Sequence, residues 1–156
     1  MKRFLFTLSV YIVGLTAQGF CQNPAKKTSG GVPDKALMQK IWDGWATLDP
    51  ANVAQFYAKG PHVFFDIAPL KYNSWDEYQQ GVKNVIAGYK SATFTVNDDA
   101  QLHPAGPMVW ATATVKSDMI EKSGKHDLST FRWTVLWQKG SSMWLIVHEH
   151  ISEPLQ

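Results

Sequence analysis

The chain has 156 residues, 45% hydrophobic and 18% charged, with 15 basic and 13 acidic side chains. That length and balance describe one globular domain with an ordinary core and exclude a solenoid or a disordered polypeptide. Without Lys2 and Arg3 the basic count falls to 13 and equals the acidic count, so no basic stripe makes an electrostatic case for nucleic acid.

Lys2 and Arg3 precede an apolar run over residues 4–17, and small residues follow at Ala17, Gly19 and Cys21. This is the three-part pattern of a secretory signal peptide, and the run is short for a transmembrane span. Residues 1–21 are read as the signal peptide, cleaved after Cys21 in preference to Gly19. The protein is then expected in the periplasm or outside the cell, with no stable membrane insertion. Lipidation of Cys21 is the alternative, and bulky Phe20 directly before it argues against that. Removal of Cys21 leaves no cysteine and hence no disulfide. Residues 22–33 (QNPAKKTSGGVP) are polar, with two glycines and two prolines, and read as a disordered tether.

The domain is expected over residues 34–154. Leu37, Met38, Ile41, Trp42, Trp45 and Leu48 fall at helical spacing. Asp49-Pro50 opens a short second helix whose face is Val53, Phe56 and Tyr57. Residues 62–67 have the aromatic and β-branched content of a strand, and alternation places His62, Phe64 and Asp66 on one face. Ser74 and Glu77 form a capping box for a third helix with the stripe Tyr78, Val82, Val85, Ile86 and Tyr89. Beyond Lys90 the period is two: strands around 93–97 and 109–116, then at 128–138 and 143–152. Helices first and long strands afterwards is an α+β pattern.

Gly140-Ser141 suits the two central positions of a type II′ hairpin turn, setting Lys139 opposite Ser142. This register puts Trp137 opposite Trp144, Val135 opposite Ile146, Trp133 opposite His148 and Phe131 opposite His150 on one face. Arg132 then pairs with Glu149 on the other, a favourable opposition of charge. A turn one residue longer moves Glu149 beside Trp133, as an isolated carboxylate in an apolar pocket, which favours isomerase-type chemistry.

Three helices with a short strand inserted, then a sheet ending in Trp144-x-Ile146-Val147-His148-x-His150-x-Ser152, resemble the nuclear-transport-factor-2-like superfamily. Asp66-x-x-Pro69 with Tyr72 and Trp75 is similar to secreted bacterial SnoaL-like domains. The superfamily includes polyketide cyclases, ketosteroid isomerases and the association domain of calcium/calmodulin-dependent protein kinase II. The resemblance implies a cone-shaped curved antiparallel sheet with three N-terminal helices over it, a cavity closed by the helices, and a homodimer. The association domain's carboxylate-binding arginines align with Val135 and Ile151, so that anion pocket is absent. Asp66 could stand for the isomerases' carboxylate base, but no oxyanion-binding pair is identifiable.

The expected site is a mostly apolar cavity for a small apolar or amphipathic molecule. Its ligand-binding residues are Phe64, Tyr72, Trp75, Tyr78, Trp133, Val135 and Ile146. The alternative is a cofactor-free isomerase, cyclase or lyase with His148, His150 or Asp66 as catalytic base. A third reading is an oligomerisation or interaction domain without ligand. The structural reading of His148, His150 and Ser152 is that they bond backbone groups and fix the end of the sheet. A metal would need a third ligand beside His148 and His150, from Asp66 or His62, and no spacing supplies it, so neither metal nor cofactor is assigned.

Overall fold

The computed structural model describes residues 31–67 and 69–155. The expected signal peptide and all of the tether before Gly31 lie outside them. Helix α1 spans Lys35–Trp45. Asp34 caps it, its carboxylate accepting from Leu37 N at 2.8 Å, and its buried face is Met38, Ile41, Trp42 and Trp45. The expected second helix is two 3-10 turns, Pro50–Asn52 and Ala54–Phe56. Asp49 caps the first by accepting from Ala51 N at 3.0 Å. Gly44 lets this segment close on α1, because a Cβ there would sit 2.5 Å from Val53 Cγ1.

Strand β1 is Phe64–Phe65 and helix α2 is Trp75–Ile86. Ser74 caps α2 as expected, its Oγ accepting from Glu77 N at 3.2 Å, while Glu77 Oε2 reaches one residue past the cap, to Asn73 N at 2.7 Å. Strands β2 (Tyr89–Val96), β3 (Gln101–Ala105), β4 (Met108–Glu121), β5 (His126–Lys139) and β6 (Trp144–Ser152) complete the fold. The sheet order is β1-β6-β5-β4-β2, with β3 also on β4. The sheet is curved and unclosed, and mixed where a purely antiparallel one was expected, since β1 runs parallel to β6. Strand β3 was not expected; its Pro104 is tolerated because β3 pairs with β4 alone.

The inner face of the sheet carries Val109, Ala111, Ala113 and Val115 of β4 and Phe131, Trp133, Val135 and Trp137 of β5, all buried under the helices. Aromatic rings make up much of this core. Tyr57 stacks on Trp75 with centroids 4.3 Å apart, and Phe64 on Tyr78 at 5.2 Å.

The β5–β6 register departs from the expected one. The turn centres on Ser141-Ser142, closed by Gly140 N–H donating to Met143 O at 2.8 Å, and Lys139 pairs with Trp144. A Cβ at Gly140 would lie 3.1 Å from Met143 O, which is why glycine suits this corner. That displacement alone preserves the faces. The decisive feature is a bulge: Trp137 pairs with Ile146 but Leu136 with His148, leaving Val147 over. One inserted residue exchanges the two faces for the rest of the strand. Val135 therefore pairs with Glu149, Thr134 with His150, Trp133 with Ile151 and Arg132 with Ser152. The expected Arg132–Glu149 pair does not form, and the histidines do not share a face with the tryptophans.

Candidate functional site

The bulge drives Glu149 inward. Its side chain is 1% exposed, the one carboxylate among the buried residues described. Glu149 Oε1 accepts from the Tyr57 hydroxyl at 2.9 Å, and Oε2 from Trp133 Nε1 at 2.9 Å. The Tyr57 oxygen in turn accepts from Trp45 Nε1 at 3.1 Å. Burial pushes the Glu149 carboxyl up to about 7, while donors from Tyr78, Trp133 and Tyr57 oppose that shift. Burial, followed by the field of Glu149, also holds the Tyr57 and Tyr78 phenols well above their ordinary value.

Above this network lies a cavity of about 320 Å³ between the helices and the inner face of the sheet. Trp42 and Trp45 of α1 line it, with Tyr78, Val82, Val85 and Ile86 of α2. Alternating inward residues of the sheet complete it: Ser117 and Met119 from β4, then Asp127, Ser129 and Phe131 from β5. Ile151 and Glu153 enter from the end of β6, and Tyr89 and Phe94 from β2. Asp127 and Glu153 are exposed at the mouth, where the Tyr89 hydroxyl donates to Asp127 Oδ2 at 2.8 Å.

Asp66, just past β1, is the expected base that reaches the cavity. It is half-buried, its Oδ1 accepts from Ile67 N at 2.7 Å, and burial raises its carboxyl above the usual range. Tyr78 also lines the cavity. Phe64, Tyr72, Trp75, Trp133, Val135 and Ile146 are buried core residues outside the lining. They pack behind it: Trp133 edge-on to Trp42 at 5.4 Å, Phe64 and Tyr72 against Tyr78, and Trp75 against Trp45.

His148 and His150 lie on the opposite face of β6, outside the cavity lining. Both rings pack edge-on to Phe65, with centroids at 5.5 and 5.6 Å, and His148 Nδ1 bonds the Val63 carbonyl at 2.7 Å. His148 thus ties the segment leading into β1 to β6, and the bulge is the reason neither imidazole reaches the cavity. Among the described residues no three His, Cys, Asp or Glu side chains converge as a metal site.

The sequence placed Glu149 inward only through a longer turn, whereas a bulge does it here, and much of the wall was not anticipated, yet a signal for the bulge was present. Ile146 and Ile151 are both apolar at an odd separation, so no regular strand buries both on one face. A bulge between them was the resolution, and it carries Glu149 inward.

This fold is widespread among solved structures. A nuclear-transport-factor-2-like superfamily protein from Salmonella enterica serovar Typhimurium is 18% identical, with a TM-score of 0.68 over 78% of this chain and 92% of that one. A protein assigned as a dehydratase of the same family from Streptomyces avermitilis is 11% identical, with a TM-score of 0.66 over 78% and 95%. The association domain of calcium/calmodulin-dependent protein kinase II from C. elegans is 13% identical, with a TM-score of 0.60 over 75% and 90%. At these identities the likeness is one of fold. No curated protein matches the chain. Residues 35–156 match the family model of the SnoaL-like domain, and the chain belongs to that family.

Proposed function

We propose that this domain binds a small, largely apolar or amphipathic molecule in the cavity beneath α1 and α2. The observation that carries the reading is the cavity itself. Its volume of about 320 Å³ and its aromatic wall with few polar groups are those of a small-molecule site. Trp42 and Trp45 in the wall make intrinsic fluorescence a direct probe. Titration with 2-naphthalenemethanol is expected to change that fluorescence saturably. Val85→Trp, placed at a half-exposed wall position, is expected to abolish the change without unfolding the domain. A saturable change that the variant leaves intact, or no saturation with this alcohol or with its amine and carboxylate counterparts, overturns the reading.

A second reading is proton transfer on such a ligand. It is favoured by Asp66, a cavity-lining carboxyl whose pKa burial raises, which suits a general base or acid. In that case Asp66→Asn removes turnover of a substrate while retaining its binding. Retained turnover in that variant excludes Asp66 as the base.

Export and pairing belong to the same proposal. Export is supported by the basic, apolar and small-residue pattern over residues 1–21. The intact mass of chain recovered from cells should lack these residues, and a full-length mass overturns export. A homodimer is supported by the likeness to an association domain and by half-exposed Trp110 on the outer face of the sheet. Light scattering that gives a monomer mass rules it out.

A further inference from the structure

We infer that the molecule taken by this cavity carries a positive charge, an ammonium group on an apolar or aromatic body. The inference rests on the binding reading above and narrows its ligand class. Two independent features of the lining agree on that charge.

The first is aromatic. Trp42, Trp45, Tyr78, Tyr89, Phe94 and Phe131 line the cavity from both helices and from the sheet. Aromatic faces carry negative electrostatic potential and attract cations, most strongly where water is excluded.

The second is ionic. The carboxylates of the lining are Asp66, Asp127 and Glu153, and no lysine, arginine or histidine lines the cavity among the described residues. The ion pairs of the described residues join Lys35 to Asp98, Lys125 to Glu121 and His126 to Asp118, so none neutralises these three. Asp127 is held in place by the Tyr89 hydroxyl. The negative field of Asp66 extends inward, where it contributes to raising the pKa of Tyr57, Tyr72, Tyr78 and Glu149. A concave site of one sign with low-dielectric walls focuses that field on whatever enters. An anion would meet like charge at Asp127, Glu153 and Asp66, whereas an ammonium would meet carboxylates and aromatic rings in the same lining.

Three naphthalene probes with one apolar body test this: 2-naphthylmethylamine, 2-naphthalenemethanol and 2-naphthoate, titrated at pH 7 and low salt. The amine is expected to bind roughly tenfold tighter than the alcohol, and the carboxylate weakest, from the combined carboxylate and aromatic attraction. Asp66→Asn and the exposed pair Asp127→Asn with Glu153→Gln are each expected to shrink the ratio of amine to alcohol affinity severalfold, because each removes negative charge from the lining. Equal or tighter binding of the alcohol, or an amine preference that both variants leave unchanged, overturns the cationic inference while the cavity still binds. Failure of all three probes to bind overturns the binding reading and this inference with it.

Discussion

The Trp133 indole donates to Glu149 Oε2 at 2.9 Å, although neither residue is the other's partner across the β5–β6 ladder. Trp133 pairs with Ile151 and Glu149 with Val135, so the bond runs diagonally over the inner face. It exists because the bulge at Val147 turned Glu149 toward the tryptophans.

A buried carboxyl with pKa about 7 in the folded protein makes stability depend on pH with a definite sign. The ordinary value is 4.5, so between about 4.5 and 7 the folded state binds more protons than the unfolded one. The contribution of Glu149 is most favourable below that window and is lost as pH rises through about 7. The loss is on the order of 3 kcal/mol, at about 1.4 kcal/mol per pH unit. Urea titrations from pH 4 to 8 should show the stability of Glu149→Gln gaining on wild type across the window. Parallel profiles for the two proteins would refute the shifted carboxyl.

Removing a donor to Glu149 should cost most where the carboxyl is ionised. Trp133→Phe and Tyr57→Phe each delete one bond to it, and Tyr57→Phe also leaves Trp45 Nε1 without its acceptor. Each is expected to destabilise by about 1–3 kcal/mol at pH 8, and by less at pH 5. Urea midpoints at the two pH values measure the difference, and an equal loss at both pH values would mean that only packing was removed.

Gly81 sits in α2 where alanine would ordinarily help the helix by ~1 kcal/mol. Here a Cβ would fall 2.2 Å from Tyr72 Cε1 and 2.3 Å from its hydroxyl, against a ring that is itself buried. Gly81→Ala is therefore expected to destabilise the domain by about 1–3 kcal/mol, as overpacking does. Gly88→Ala, with no atom nearer than 4.0 Å, should be neutral or slightly stabilising. Thermal melts of the pair decide it, and a stabilised Gly81→Ala would show that Tyr72 moves aside.

The histidines should matter for stability and little for binding. His148→Ala removes the Val63 bond and the contact with Phe65, costing about 1 kcal/mol. Binding of the naphthalene probes should stay within about twofold for His148→Ala and His150→Ala, since neither side chain lines the cavity. Loss of probe binding in either variant would place an imidazole in the site.

The helical elements were legible because their signals are local. Asp49 and Ser74 cap where the sequence indicates, and Met38, Ile41, Trp42 and Trp45 recur at helical spacing because one face must be buried. The inward alternation of Val109, Ala111, Ala113 and Val115 was equally plain, since a strand's period of two needs no partner to define it. Asp66 and Tyr78, both named from the sequence, line the cavity. The second segment was the local exception. Its cap was correct, but residues 50–56 close 3-10 turns, held to α1 by contact between Val53 and Gly44.

The closing strand shows where local reading ends. Its sequence alone determined that His148 and His150 share a face and that Glu149 occupies the other. Which of those faces meets the core was decided by tertiary structure. Burying both Ile146 and Ile151 against the helices outweighs one irregular ladder position, so Val147 bulges and everything after it changes side. The price is a buried carboxylate, tolerated because Tyr57 and Trp133, distant in sequence, converge on it with hydrogen bonds that only the folded chain supplies.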